Sequence, residues 1–210
     1  MDPDNELEPD DYYKLKKMLA KEESSLVFST FENQTIQDFV VDQMGLTLYH
    51  KAILLPTTQI LQFLLNLKYL DPNGVNLKGE TPFYSSCDFL RVQALRCLLQ
   101  DPRVDVQKPD STGKTPLMAC VIQGFHQAIE VLILSGRELN LSTNRKDKTL
   151  MQLAREANHP VVISLLESYQ NNPIECRKEM RILHGFPGLK KFDFFFFFFF
   201  FFFFFFFFKF

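Results

Sequence analysis

The stretch Gly113–Ala119, GKTPLMA, sets a glycine, a threonine and a proline directly before an apolar run. Pro116 has no backbone N–H to donate, so within a helix it fits the first turn. Thr115 before it suits the N-cap, where its hydroxyl accepts an orphan N–H. Gly113 allows the tight turn that aims the chain into that helix. The stretch therefore reads as turn, cap and helix start.

The same reading recurs along the chain. Thr47, Thr81, Thr115 and Thr149 follow one another at intervals of 34 residues, inside GLTLYHKA, GETPFYSS, GKTPLMAC and DKTLMQLA. Two residues after each threonine stands a large apolar side chain: Tyr49, Phe83, Leu117 or Met151. Five residues after it stands a small one: Ala52, Ser86, Cys120 or Ala154. A second apolar stripe follows in each unit, for example Ala94-Leu95 with Leu98-Leu99 and Ala128-Ile129 with Leu132-Ile133, at a spacing that suits one face of a short helix. Each unit is thus two short helices and a loop. Neither helix is long enough to hold its shape alone in water, so the units must stack and bury a shared face.

The unit resembles the ankyrin repeat, whose signature runs Asp-x-x-Gly-x-Thr-Pro-Leu-His-x-Ala. Asp110, Gly113, Thr115, Pro116 and Leu117 match it in the third unit, Asp42, Gly45, Thr47, His50 and Ala52 in the first, and Gly79, Thr81 and Pro82 in the second. The fourth unit is weaker: Thr149, Ala154 and His159 match, while Asp147 replaces the glycine and Leu150 the proline. The resemblance covers about residues 42–172. It implies an all-α ankyrin-repeat solenoid of helix-loop-helix units with hairpin-like finger loops. The repeats are expected at 42–75, 76–109, 110–143 and 144–172. His50, at the family's histidine position, is expected to bond between adjacent repeats. Tyr84, Met118 and Gln152 stand where that histidine belongs, which predicts a broken inter-repeat ladder and a looser stack.

Polar caps are expected at both ends of such a stack. Residues 1–24 read as an acidic segment and the start of a cap helix, Tyr12 to Lys21, and residues 25–41 as a degenerate cap. Residues 173–189 read as a C-terminal capping helix with Ile174, Cys176, Met180 and Leu183 inward and Arg177, Lys178 and Arg181 outward.

Residues 190–210 are a low-complexity tail that holds 15 of the 25 phenylalanines in the run Phe194–Phe208. Leaving 15 phenylalanines in water would cost on the order of 20–45 kcal/mol, against about 5–15 kcal/mol for the stability of a whole domain. As a helix the run spans only about 22 Å of a hydrocarbon core about 30 Å thick. Three readings stand: an extension that was never selected, a membrane anchor, and an assembly element.

Composition narrows the function. The formal charge of −2 gives no general pull toward nucleic acid or anionic lipid. The first 13 residues carry six carboxylates and no apolar start, unlike a signal peptide. Cys87, Cys97, Cys120 and Cys176 have no metal-ligand spacing, and Cys120 takes a small, buried slot. No phosphate-binding glycine loop or nucleophile elbow occurs. His126, His159 and His184 fall in turns and in the cap helix. No catalytic residue, metal or cofactor is expected, and the place expected is the cytoplasm or nucleus.

The family's fingers lie beside the first helices and form a concave face. The resemblance places Leu77, Lys78 and Glu80 on one finger, Lys108, Ser111, Thr112 and Lys114 on the next, and Asn144, Arg145, Lys146 and Lys148 on the last. The candidate partner-binding set is Lys78, Glu80, Lys108, Thr112, Lys114, Asn144, Arg145, Lys146 and Lys148. The expected function is a non-catalytic scaffold or adaptor that binds a protein, with an acidic partner segment suited to the basic last finger. A membrane-anchored adaptor and a regulatory fragment of a larger enzyme stay open as alternatives.

Overall fold

A computed structural model describes residues 8–19, 45–141, 144–145 and 148–183. Four helix pairs follow one another: α2 (Leu48–Ile53) with α3 (Gln59–Asn66), α4 (Pro82–Asp88) with α5 (Val92–Leu98), α6 (Pro116–Ile122) with α7 (His126–Ser135), and α8 (Leu150–Glu156) with α9 (Pro160–Asn171). Helix α1 (Pro9–Leu19) precedes them and α10 (Pro173–Leu183) follows. First helices pack on first helices in the order α2, α4, α6, α8, and second helices on second helices in the order α3, α5, α7, α9. The only strands among the described residues are β1 (Asn144–Arg145) and β2 (Lys148–Thr149), an antiparallel pair.

The cap chemistry builds each pair. Every one of the four threonines occupies the N-cap of a first helix with extended backbone. The hydroxyls of Thr81, Thr115 and Thr149 accept the amides of Tyr84 (3.1 Å), Met118 (3.3 Å) and Gln152 (3.2 Å). At Thr47 the cap turns on His50 instead: the Thr47 amide donates to His50 Nδ1 at 3.2 Å. The threonines therefore stand at equivalent corners along one axis, as the 34-residue spacing requires. The small residues sit where neighbouring helices close up, with Ser86, Cys120 and Ala154 fully buried. Around them Phe83, Leu95, Leu98, Met118, Ile129 and Leu132 form a continuous apolar core, which is the main source of stability in such a stack.

The inter-repeat ladder differs from the sequence expectation. His50 Nδ1 accepts from Thr47, so Nε2 carries the proton and donates to the Glu80 carbonyl at 3.0 Å. One unit later the ladder is not broken: the longer Tyr84 side chain reaches across to Asp110 Oδ2 at 3.1 Å. Burial first, and then the facing carboxylate, push the Tyr84 phenol far above its ordinary range, so it stays a donor. Met118 and Gln152 do leave gaps. Met118 is a buried apolar side chain, and Gln152 turns back to its own cap, accepting the Thr149 amide at 2.7 Å.

Arginines make a second set of inter-unit bonds that the sequence did not announce. Arg103 Nη1 donates to the carbonyls of Lys68 and Leu70 (both 2.9 Å), and Nη2 to that of Leu65 (3.0 Å), where α3 ends. Arg137, 34 residues on, donates to the carbonyls of Asp101 (2.6 Å) and Val104 (3.0 Å) behind α5. These are the orphan carbonyls at helix ends, and the guanidinium fork satisfies several at once.

Both end caps depart in detail from the sequence reading. Helix α1 starts at Pro9 rather than Tyr12, with Asp10 and Asp11 in its first turn, where carboxylates are favoured. It packs on α3 through Leu15, and Asp11 accepts from Tyr69 Oη at 2.7 Å. In α10 the inward face is narrower than predicted. Cys176 is buried and Met180 half-buried, while Ile174 and Leu183 are exposed. Arg177 is not on the outside: its Nε donates to the Ile133 carbonyl of α7 at 2.9 Å. Residues 25–41, His184 and the phenylalanine tract lie outside the described residues. Among the described residues, no helix is long and apolar enough to cross a membrane.

The turn between the paired helices carries one strained residue. Leu90 has φ +56°, a left-handed conformation, where Gly124 (φ +69°) and Asn158 (φ +55°) stand at the same place in later units. A bulky side chain is disfavoured there by roughly 1–2 kcal/mol. Leu90 is half exposed, so little packing offsets the strain. Leu90→Gly is therefore expected to stabilise the fold by about 0.5–1 kcal/mol after the entropic cost of glycine. Urea unfolding of the two chains checks it; a lower midpoint for Leu90→Gly would show that side-chain packing outweighs the strain.

Candidate protein-binding face

Two of the fingers are each organised by one Asn or Asp. In residues 76–80, Asn76 Oδ1 accepts the amides of Lys78 (2.9 Å) and Glu80 (3.0 Å), and Asn76 Nδ2 donates to Glu80 Oε2 at 2.7 Å. In residues 110–114, Asp110 Oδ1 accepts the amides of Thr112 (2.8 Å) and Lys114 (2.9 Å) and the Thr112 hydroxyl (2.8 Å). Burial opposes the charge on Asp110, but these bonds and the one from Tyr84 outweigh it and hold the carboxyl below its usual range. The two fingers are joined: the Ser111 amide donates to the Lys78 carbonyl at 3.0 Å. Gly79 makes that approach possible, because a Cβ there would lie 2.6 Å from Ser111 N.

Most of the candidate residues are spent on holding this face together. Lys108 Nζ donates to the Asn73 carbonyl at 3.2 Å. Lys114 lies along α4, with its ammonium 5.7 Å from the Tyr84 ring centroid and 3.8 Å from Asp88. Lys148 pairs with Glu156 at 2.7 Å. Glu80 and Thr112 bond within their own fingers. Asn144 and Arg145 form β1, and Lys146 lies outside the described residues. Lys78 differs: it is exposed, and its ammonium has no partner among the described residues. Beside it Leu77 is 78% exposed, the most exposed large apolar side chain described. Sequence reasoning placed Leu77 on this finger and gave it no role, because a single leucine carries no chemical signature. The face is thus a row of braced loops with an open Leu77-Lys78 tip beside Ser111 and Thr112.

The thiols offer little chemistry. Burial pushes the Cys87 thiol well above its ordinary value and Cys97 up to about 11, so neither is a thiolate nucleophile at neutral pH. His50 and His159 serve structure: His50 joins two units as above, and His159 Nε2 donates to the Ile122 carbonyl at 3.1 Å, with its ring against Gly124.

Stacked helix pairs with a turn-and-cap finger at each joint define a repeat solenoid. Residues 91–176 match the family model described as ankyrin repeats in three copies. The matched segment is thus a run of ankyrin repeats, and the stack that contains it is consistent with an all-α ankyrin-repeat solenoid. Ankyrin repeats generally mediate protein–protein interaction, and their domains are typically non-catalytic modules.

Proposed function

We propose that this protein is a non-catalytic scaffold or adaptor that grips a partner protein with the finger row, and that Leu77 and Lys78 are its principal contacts. The stack is read as four repeats over residues 42–172 with a helical cap after them. The observation that carries the reading is the hydrogen bond from Ser111 to the Lys78 carbonyl. It ties two fingers into one support, so an exposed leucine and an open ammonium are presented without a large ordering cost on binding. The fitting partner segment has an apolar side chain for Leu77 and a carboxylate for Lys78. Thr112, Lys114, Asn144, Arg145, Lys146 and Lys148 are the secondary contacts of the proposal.

A photo-crosslinking residue at position 77, compared with one at the exposed Val161 of α9, tests the face in cells. Crosslinks to a defined protein at 77 and not at 161 are expected. The double substitution Leu77→Asp with Lys78→Glu should weaken that partner at least about tenfold. Stability should shift by no more than about 0.5 kcal/mol, since both side chains are on the surface. Equal crosslinking at both positions, or unchanged binding of the double variant, would remove the finger row from the function.

A further inference from the structure

The dipeptide Asn73-Gly74 occurs nowhere else in the chain. An asparagine followed by glycine is especially prone to lose its side-chain amide, because glycine has no side chain to shield its nitrogen from the asparagine Cγ. Here the dipeptide lies half-buried in the stretch after α3. Asn73 Nδ2 donates to the Arg103 carbonyl at 2.8 Å, and the Asp105 amide donates to Asn73 Oδ1 at 2.7 Å. Both partners follow α5, so one side chain clasps the second helix pair to the first. The Asn73 amide in turn donates to Asp71 Oδ1 at 2.9 Å. Packing favours the glycine as well: a Cβ on Gly74 would stand 3.1 Å from Thr47 Cγ2.

These contacts fall where cyclisation of the asparagine gathers negative charge. The attacking group is the Gly74 nitrogen after loss of its proton, and that N–H makes no hydrogen bond among the described residues. The charge left on the nitrogen is shared with the Asn73 carbonyl oxygen through the peptide resonance. Lys108 Nζ donates to that oxygen at 3.2 Å, and a cation there favours the deprotonated nitrogen. When the nitrogen adds to Cγ, negative charge moves onto Oδ1. The Asp105 N–H already points at Oδ1, as an oxyanion donor does.

We propose that Asn73-Gly74 is a self-modifying site, at which the fold promotes cyclisation of the asparagine and so unfastens the first two helix pairs. The Gly74 nitrogen gives its proton to solvent and bonds to Asn73 Cγ. The Cγ–Nδ2 bond breaks, and the amide nitrogen takes up a proton and leaves as ammonia. Water then opens the cyclic imide at either carbonyl. One opening restores the normal chain as aspartate. The other leaves isoaspartate, which routes the main chain through Cγ and lengthens it by a methylene. The balance is amide plus water to carboxylate plus ammonium. In both products the donor to the Arg103 carbonyl is gone, and a carboxylate replaces it near Asp71 and Asp105. The inference does not depend on Leu77 or Lys78 as partner contacts, so the two readings can fail separately.

The full chain is incubated in neutral buffer, folded and in parallel unfolded in urea. Peptide mapping by mass spectrometry follows aspartate and isoaspartate at position 73. Conversion is expected to be at least as fast in the folded chain as in the unfolded one, a comparison that needs no variant. Lys108→Met should slow the folded chain by about tenfold, a fraction of what a preorganised donor gives in a closed site. It should leave the unfolded rate unchanged, and Lys108→Arg, which keeps the charge, should keep the folded rate. The converted form, separated by ion exchange, should show quicker hydrogen exchange at the Asp105 amide than the parent chain. A folded chain that converts more slowly than the unfolded one shows that the fold shields the amide, and overturns the proposal. So does a folded rate indifferent to Lys108→Met. Unchanged exchange at Asp105 in the converted form overturns the unfastening.

Discussion

Arg103→Met is expected to cost about 3 kcal/mol of unfolding free energy at neutral pH. Asp101 is buried, and Arg103 holds both its oxygens, with Nη2 at 2.7 Å and Nε at 3.1 Å from the carboxylate. The same guanidinium satisfies the carbonyls of Leu65, Lys68 and Leu70. Removing one partner of a buried pair typically costs about 3–5 kcal/mol; the lower end applies because the arginine side chain keeps 29% exposure. Methionine keeps the packing of the stem and deletes the charge. Arg103→Lys should recover little, since an ammonium cannot fork across a carboxylate and three carbonyls.

The pH dependence gives that result a second readout. Arg103, chiefly by hydrogen bonding, holds the Asp101 carboxyl down to about 2. In the unfolded chain it titrates near 3.9. A lowered folded value means stability that is present above about pH 4 and lost as pH falls toward 2. In Arg103→Met that contribution is absent, and the buried carboxylate is relieved by protonation. The gap between the two chains should therefore shrink between pH 6 and pH 2.5. Urea unfolding at the two pH values measures it; a constant gap would mean that the carbonyl bonds, and not the ion pair, carry the effect.

Gly79→Ala is expected to cost about 3 kcal/mol, and Gly113→Ala only about 1 kcal/mol, although both glycines have the same left-handed backbone. Gly79 has φ +76° and Gly113 φ +80°. What separates them is the neighbour. A Cβ on Gly79 would stand 2.6 Å from the Ser111 amide nitrogen, which is backbone and cannot swing aside, whereas a Cβ on Gly113 meets nothing within 4 Å. Alanine at 79 must therefore part the two fingers and break the bond from Ser111 to Lys78. Chemical denaturation of both variants measures the difference, and hydrogen exchange at the Ser111 amide should quicken in Gly79→Ala alone. Equal losses would show that finger contact adds nothing beyond backbone strain.

These cases mark how far the sequence can be read. The threonine period was legible because capping is local: Thr115, Pro116 and the apolar residues after them act within one turn of helix. The reach of Tyr84 to Asp110 was not, because the pattern records only that the histidine is missing, and the length of the replacement side chain matters across a joint. Arg103 and Arg137 share the 34-residue interval, yet their acceptors are main-chain carbonyls that leave no trace in residue identity. The candidate face was legible as a set of loops and misleading as a set of charges. Lys114 and Lys148 look available in the sequence, but Asp88 of the preceding unit becomes a neighbour of Lys114 once the helices stack, and the helix that follows Lys148 ends on Glu156, its partner.

The arginine forks also bear on how such a chain can change in length. Arg103 and Arg137 each reach backward by one unit and are themselves one period apart. A genetic deletion or duplication of 34 codons that puts one of them in the place of the other again brings a guanidinium to carbonyls at the end of a second helix. Losses of any other size leave a cation facing the wrong helix end, so whole-unit gains and losses are the ones the architecture tolerates.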